Sequence, residues 1–187
     1  PATNAYSLLG NVSGLSAQGL TSGGVALTYS VLGNVLTASA GANTVFTFSL
    51  NSSTGAYTFT LLKPFDHPFH DVDSKNNGPE TAYEDNLAIA LGSVIQATDK
   101  DGDAVLANAN GLTISVNDDI PVATTVQLTA AVDEDGLPGG IADNAPGDIT
   151  GAATVATGNV ATLFQFGADG PATNAYSLLG NVSGLSA

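Results

Sequence analysis

The chain carries the same seventeen residues twice. Residues 1–17 recur without a change at 171–187, which sets a period of 170 residues (171 minus 1) in a chain of 187. Identity over that length does not arise by chance, so the chain spans one full period of a tandem array plus a short overlap. A period this long exceeds a solenoid repeat or a propeller blade and predicts one whole domain or more per copy. Neighbouring copies are therefore the partners that the sequence implies.

Composition argues against several other classes of partner. The formal charge is −14 with three basic residues, which is too few to neutralise a phosphate backbone, so we expect neither nucleic acid nor an anionic membrane as a partner. No run of about 18 apolar residues exists, so we expect no membrane insertion by this segment, and no signal-like stretch stands at the start. Cysteine is absent, which excludes disulfides and thiol chemistry.

Short alternating apolar segments separated by turn residues predict an all-β fold. Gly33-Asn34 and residues 51–55 read as the turns of two hairpins, and residues 63–85 as a long surface loop anchored by Phe65 and Phe69. The fold class that this pattern favours is an antiparallel Ig-like β-sandwich with long acidic loops, one unit of a tandem array. The predicted strands are 6–9, 25–31, 35–40, 44–50, 57–62, 87–98, 112–116, 122–132, 149–156 and 163–166.

The boundary between copies has two interpretations. Residues 117–121 read as an inter-repeat junction, because a strand ends there and Pro121 stiffens the exit. In the first interpretation, 1–120 holds the later strands of one Ig-like repeat and 121–187 the opening strands of the next, as a split or strand-complemented domain. In the second, 1–120 is a self-sufficient sandwich and 121–170 a smaller satellite.

Acidic residues crowd the stretch 99–135. Eight of the seventeen carboxylates lie there with Lys100 as the only basic residue, so like charges repel unless a cation neutralises them. Ca²⁺ binds carboxylate, Asn and backbone oxygens, and we expect several ions. The alternative is a set of solvated polar turns. The candidate ligands are Asp99, Asp101, Asp103, Asn117, Asp118, Asp119, Asp133, Glu134 and Asp135, with Asp143 and Asp148 in the following loop.

Two segments, 97–103 and 116–122, resemble the junctions of bacterial Ig-like and cadherin-like repeats. Together with residues 131–137 and 86–89 they are similar to the long repeats of RTX adhesins, giant surface proteins exported by type I secretion. The resemblance implies Ig-like modules strung end to end at the bacterial cell surface, with Ca²⁺ near the linkers, in cell adhesion and biofilm formation. Asp99, Asp101, Asn117, Asp118 and Asp119 match the cadherin junction in type, although that junction has a second Asn where Asp119 stands.

Two other calcium motifs do not fit. An EF-hand loop starting at Asp99 requires Gly at its sixth position and Glu at its twelfth, where this chain has Ala104 and Asn110. The glycine-rich nonapeptide of calcium-binding β-rolls is also absent.

The two histidines share one loop. His67 and His70 stand with three carboxylates within residues 66–73, a combination that suits Zn²⁺ or another transition metal. The alternative is that these histidines cap turns or lie exposed, and the sequence does not decide between the two.

Catalysis has little support. The chain has no Gly-x-Ser-x-Gly elbow, no cysteine nucleophile and only two histidines as candidate bases, so we expect neither an enzyme nor a small-molecule substrate. The rival to a structural role is a carbohydrate- or peptide-binding module repeated for avidity. Absence of Trp and scattered Tyr argue against it. The sequence thus predicts an extracellular extender module, rigidified by Ca²⁺, that projects a distal binding region.

Overall fold

A computed structural model describes residues 4–68, 85–141, 145–149, 151 and 153–178. The chain divides into two compact units: unit 1 is Pro1–Ile120 together with Ala168–Ala187, and unit 2 is Pro121–Gly167. Whether these parts belong to one repeat or to two stays a prediction.

Short strands dominate the described residues, and the one α-helix among them, α1 (Ser13–Ser16), has a single turn. Every strand pair is antiparallel, which confirms the all-β, sandwich-like fold. Residues Gly92–Val94, Glu134–Gly136 and Ala161–Leu163 form 3₁₀ turns. The strands are β1 Tyr6–Leu8, β2 Thr21–Ser22, β3 Val25–Leu32, β4 Val35–Ala40, β5 Asn43–Leu50, β6 Tyr57–Leu61, β7 Asn86–Ala90, β8 Ile95–Thr98, β9 Ala104–Leu106, β10 Thr113–Asn117, β11 Val122–Ala123 and β12 Phe164–Gln165.

Four sheets arise from these strands. In unit 1, one sheet has the order β2-β3-β4-β5-β6, a second has β1-β8-β9, and β10 pairs with β7. In unit 2, β11 pairs with β12. The two predicted hairpins are confirmed as β3–β4 and β5–β6, and Gly33 takes a positive φ of 57° in the first turn, a conformation that glycine adopts without strain.

The core of unit 1 lies against the five-stranded sheet. A β-bulge shifts the β4–β5 register between Ala38 and Ser39, so Val45 has no cross-strand partner and both Val45 and Phe46 are buried. Phe46 stacks on Phe59 with ring centroids 4.8 Å apart. The core comprises Leu8, Leu15, Leu20, Leu27, Leu36, Ala38, Ala40, Val45, Phe46, Phe48, Leu50, Phe65, Ile89, Leu91, Val94 and Val116.

The predicted anchor Phe65 is confirmed, since its side chain is 1% exposed and its ring centroid lies 6.0 Å from that of Phe46. Phe69, the other predicted anchor, lies outside the described residues. The loop that begins after β6 is thus fixed to the core at its near end.

Three predicted strands differ from the structure. Residues 87–98 form β7, a 3₁₀ turn and β8 rather than one strand, while 122–132 yields only Val122–Ala123. No strand forms among the described residues of 149–156. The physical reason is the same in both unit 2 segments: the described part of that unit buries no side chain, and alternation without a covering layer does not hold a strand.

The two copies of the repeated sequence differ in environment. In the first, β1 pairs with β8 and Leu8 is 7% exposed. In the second, residues 171–178 form no strand and Leu178, the equivalent of Leu8, is 101% exposed. Because β8 is paired with β1 on one edge and β9 on the other, it has no edge left for the second copy.

Identical leucines in unlike environments make a matched pair for mutagenesis. We expect Leu8→Ala to lower the free energy of unfolding by about 2 to 5 kcal/mol, because it opens a cavity in the core. Leu178→Ala removes the same atoms from an exposed side chain and should change the free energy by less than about 0.5 kcal/mol. Denaturant unfolding of the 187-residue chain measures both, and equal losses would contradict the structure.

Candidate functional site

Three clusters of potential metal ligands occur among the described residues, and in each the ligand atoms lie within 4.8 Å of one another. The hairpin cluster and the unit 2 cluster contain carboxylates alone, whereas the mixed cluster contains an imidazole. Their members are Asp99, Asp101 and Asp103 for the hairpin cluster, Asp133, Asp135 and Asp148 for the unit 2 cluster, and His67, Asp85 and Asp118 for the mixed cluster.

The hairpin cluster occupies the turn between β8 and β9. Asp99 Oδ1 accepts hydrogen bonds from the backbone amides of Gly102 (2.9 Å) and Asp103 (2.8 Å), and the Asp99 amide donates to the Asp103 carbonyl at 2.9 Å. Gly102 has a φ of 110°, a conformation that side chains rarely tolerate. The turn therefore folds the chain so that all three carboxylates, each exposed to solvent, point into one small region.

The charge of Asp99 is stabilised by this turn. A hydrogen bond with the Asp101 side chain, together with bonds from the backbone amides of Asp103, Gly102 and Asp101, holds the pKa of Asp99 below its ordinary value. The carboxylate is thus ionised at neutral pH and able to act as an oxygen ligand.

The unit 2 cluster is built on a 3₁₀ turn. Asp133 caps Glu134–Gly136 and accepts a hydrogen bond from the Asp135 amide at 3.0 Å. Asp148 joins these two carboxylates, whereas the candidate Glu134 does not belong to the cluster. Asp143, the remaining candidate in this loop, lies outside the described residues.

The mixed cluster is positioned by the β7–β10 ladder. Asn86 of β7 pairs with Asn117 of β10, so Asp85 and Asp118, the next residues outward, leave the same end of the ladder. The Asp118 amide donates to the Asp85 carbonyl at 3.0 Å. Asp85 also contacts Nδ1 of His67, whose side chain is 7% exposed. Three separate segments of the chain thus meet at one point.

The other junction candidates lie beside the mixed cluster. The Asn117 side-chain amide donates to the Asp85 carbonyl at 3.1 Å. Asp119 Oδ2 accepts a hydrogen bond from the Ala168 amide at 2.8 Å. The five residues that match a cadherin junction in type therefore fall into two groups, with Asp99 and Asp101 in the hairpin cluster and Asp118 in the mixed cluster. Whether any of them binds calcium stays a prediction.

Asp169 was not among the sequence candidates and faces the same region. His67, Asp118, Asp119 and Asp169 are among the residues that line a cavity of about 180 Å³ in unit 1. Partial burial raises the pKa of Asp169, the negative charges of Asp118, Asp66 and Asp119 raise it further, and His67 opposes them. Negative charge is therefore concentrated around one imidazole.

Asp85 was also missed, and a signal for it was present in the sequence. Both ends of the ladder carry an acidic residue next to an asparagine, Asp85-Asn86 and Asn117-Asp118, but only the β7–β10 pairing brings them together. The predicted grouping of His67 with its loop neighbours from His70 to Asp73 falls on residues outside the described part of the chain.

Asp66 fixes the loop that carries His67. Its carboxylate accepts hydrogen bonds from the amides of Gly23 (2.7 Å) and Gly24 (2.8 Å), and its own amide donates to the Thr21 carbonyl at 3.0 Å. Desolvation alone would raise the pKa of Asp66, but hydrogen bonds from the Thr21 side chain and from these two amides outweigh it and lower the pKa. With Phe65 buried on one side, the loop is held at two points.

Comparison with known protein families gives a match within unit 1. Residues 2–111, more than half of the chain, match a family described as a domain of unknown function (DUF5801). The chain belongs to this family. No curated protein and no solved structure matches it. Among the residues that the structure describes, no helix is long and apolar enough to cross a membrane.

Asp66→Asn tests the loop anchor through its pH dependence. The amide of Asn offers one acceptor oxygen where the carboxylate of Asp66 offers two. At pH 7 we therefore expect the substitution to lower the free energy of unfolding by about 0.5 to 1 kcal/mol, a small value because the side chain is exposed to solvent. Because the folded-state pKa lies below the unfolded value, the carboxylate stabilises the fold above the unfolded pKa, and this contribution disappears as pH falls through the folded pKa. The difference in free energy of unfolding between the parent chain and Asp66→Asn, measured by denaturant unfolding, should therefore become smaller below about pH 4. A difference that is constant with pH would contradict this role.

Proposed function

We propose that this DUF5801 chain is an extender module of a giant bacterial surface adhesin of the RTX type, one copy in a tandem array that Ca²⁺ stiffens outside the cell. The observation that carries the proposal is the convergence of Asp99, Asp101 and Asp103, whose ligand atoms lie within 4.8 Å, in a chain that repeats itself after 170 residues. The array then projects a distal binding region in adhesion and biofilm formation.

The donor set of the hairpin cluster suits a hard cation. All three side chains offer oxygen, all three are exposed, and Ca²⁺ takes six to eight oxygen ligands with water completing the shell. In the absence of a cation, repulsion among neighbouring carboxylates favours an open turn. Ca²⁺ removes this repulsion and links β8 to β9 through their connecting turn. The unit 2 cluster, with Asp133, Asp135 and Asp148, has the same chemistry and is the second candidate.

The tandem arrangement supports a structural role. The family match begins at residue 2, and the repeated sequence begins again at residue 171, so a second family domain is expected to start within the overlap. Leu178, exposed in this chain, is in that view the first core leucine of the next copy. Near-identical copies in series suit a spacer, since the length of the array matters more than the recognition surface of each copy.

The calcium affinity of the sites determines in which compartment the module becomes rigid. Calcium sites of extracellular modules have Kd values of roughly 10⁻⁴ to 10⁻³ M, so such sites stay empty in the cytosol and fill outside the cell. Binding then stabilises the folded state by mass action. Folding is in this way coupled to export, because the calcium-free chain is less stable before secretion than after it.

Thermal unfolding in EDTA and in calcium tests the proposal. At about 10 mM Ca²⁺ we expect one filled site to stabilise the chain by about 1.4 to 2.7 kcal/mol, which raises the melting temperature by several degrees. The double variant Asp99→Ala/Asp101→Ala should lose the contribution of the hairpin cluster, because it removes two of three carboxylates.

The matched control is Asn108→Ala/Asn110→Ala, with the same spacing in the next exposed loop, and it should keep the full calcium shift. Mg²⁺ at the same concentration controls for ionic strength, because Mg²⁺ dehydrates reluctantly and demands a stricter geometry. Absence of a calcium shift in the parent chain would remove calcium from the mechanism. Screening of glycans and peptides would then test the rival binding module.

A chain with one further complete copy tests the array. There we expect the second copy of the repeated sequence to fold as β1 of its own domain, so Leu178→Ala should become as costly as Leu8→Ala, about 2 to 5 kcal/mol. Denaturant unfolding of the longer chain, with the same substitution in the 187-residue chain as control, makes the measurement. An effect that stays below about 0.5 kcal/mol in both chains would contradict the array interpretation.

A further inference from the structure

We propose that the mixed cluster of His67, Asp85 and Asp118 is a binding site for a divalent transition-metal ion, of which Zn²⁺ fits best, and that Asp169 closes the site. This site is distinct from the hairpin cluster in position and in ligand type. The metal site itself does not depend on the calcium proposal; its role as a clamp between copies rests on the proposed array.

The ligand atoms are close to binding distance. One ring nitrogen of His67 and one oxygen each of Asp85 and Asp118 lie within 4.8 Å of one another. Atoms that bind one Zn²⁺ at about 2.0 to 2.2 Å lie within about 4 Å of one another, so a small side-chain adjustment suffices. In the metal-free chain Asp85 contacts Nδ1 of His67, and Zn²⁺ would take the place of the proton between them.

The site is held by rigid elements rather than by a free loop. The β7–β10 ladder fixes Asp85 and Asp118, and the hydrogen bonds of Asp66 to two glycine amides fix the residue before His67. The His67 side chain is 7% exposed, and its Nδ1 atom contacts Asp85. A largely buried imidazole that is held beside a cavity loses little conformational freedom when it binds a metal ion.

A second, independent observation is the cavity next to these residues. It has a volume of about 180 Å³, enough for an ion and water, and its lining includes His67, Asp118, Asp119 and Asp169. Among the described residues that line it, none is a lysine or an arginine. One imidazole cannot neutralise the carboxylates of Asp118, Asp119 and Asp169 that line this cavity, whereas a divalent ion reduces the repulsion among them.

The imidazole decides the class of ion. Nitrogen ligands suit Zn²⁺ and related transition metals, whereas Ca²⁺ and Mg²⁺ prefer oxygen alone. His67, Asp85 and Asp118 supply three ligands of a tetrahedral zinc site, and Asp169, which lines the adjacent cavity, is the fourth ligand in this proposal. An ion bound to all four ties the end of the β7–β10 ladder to Asp169, which stands two residues before the next copy of the repeated sequence.

Calorimetric titration of the metal-free 187-residue chain with Zn²⁺, in the presence of about 10 mM Ca²⁺ to fill the oxygen-only clusters, tests the site. We expect one Zn²⁺ per chain at this site. His67→Ala and Asp118→Asn should each weaken binding by more than about tenfold, since even loss of an outer-shell partner costs that much. Co²⁺ in place of Zn²⁺ gives an independent readout, because the intensity of its visible absorption reports a site of low coordination number.

Two controls assign the site. His70→Ala removes the other imidazole of the chain, and Asp99→Ala/Asp101→Ala removes the hairpin cluster; both should bind Zn²⁺ like the parent. Each variant is first checked for folding by denaturant unfolding in EDTA, and if His67→Ala does not fold, Asp118→Asn decides. Failure of Zn²⁺ to bind, full displacement by Ca²⁺, or loss in His70→Ala but not in His67→Ala would overturn the assignment.

The clamp has its own readout. Zn²⁺ should slow amide hydrogen exchange at Ala168 and Asp169, and Asp169→Asn should lose this protection while Zn²⁺ still binds through the other three ligands. If Zn²⁺ binds without slowing exchange at these amides, the proposed metal site stands and the proposed clamp is wrong. Because the calcium shift is measured in the absence of Zn²⁺, failure of the clamp and failure of the proposed function are separate results.

Discussion

Burial of the aromatic face of β5 is the interaction on which the rest of unit 1 depends. Phe46 and Phe48 are fully enclosed, and each such side chain contributes about 1.5 to 3 kcal/mol of hydrophobic stabilisation. Phe65 packs on Phe46 and is itself 1% exposed. Because Phe65 stands two residues before His67, the packing that closes the core also sets the position of the imidazole, and the most specific candidate ligand depends on the core for its geometry.

Strand ends, rather than loops alone, position the carboxylates. Asp99 follows β8, Asp118 follows β10, and Asp85 precedes β7, so each acidic side chain lies just beyond a hydrogen-bonded ladder. Repulsion at these points does not disturb the core, since the ladders are held by backbone bonds and buried side chains behind them. A cation therefore acts on the connections between strands while the sheets stay as they are. This division of roles is what a stiffening mechanism requires.

Local signals were enough to predict the hairpins but not the sites between distant segments. The turn at Gly33-Asn34 sets the β3–β4 register within a few residues, and the Asp99 to Asp103 turn is equally local, so both followed from the sequence. The mixed cluster depends on the pairing of β7 with β10, which no local pattern specifies, and Asp85 was missed for that reason. Asp169 was missed because it is far in sequence from His67 and Asp118, with which it lines one cavity. In unit 2, alternation predicted strands that lack a covering layer in the described residues.

The repeated sequence shows how far context overrides local pattern. The same residues form β1 in one copy and no strand in the other, and the difference is the availability of an acceptor edge on β8. Asn34 also stabilises the first copy as β1. Its side-chain oxygen accepts a hydrogen bond from the Leu8 amide at 3.1 Å, and its side-chain nitrogen donates one to the Tyr6 carbonyl at 3.2 Å. In the array that we propose, each copy supplies one such strand and one such edge. Every copy of β1 then has the β8 edge of its own domain to pair with, so an exchange of strands between copies gains no hydrogen bonds. Each strand therefore stays paired within its own copy along the array.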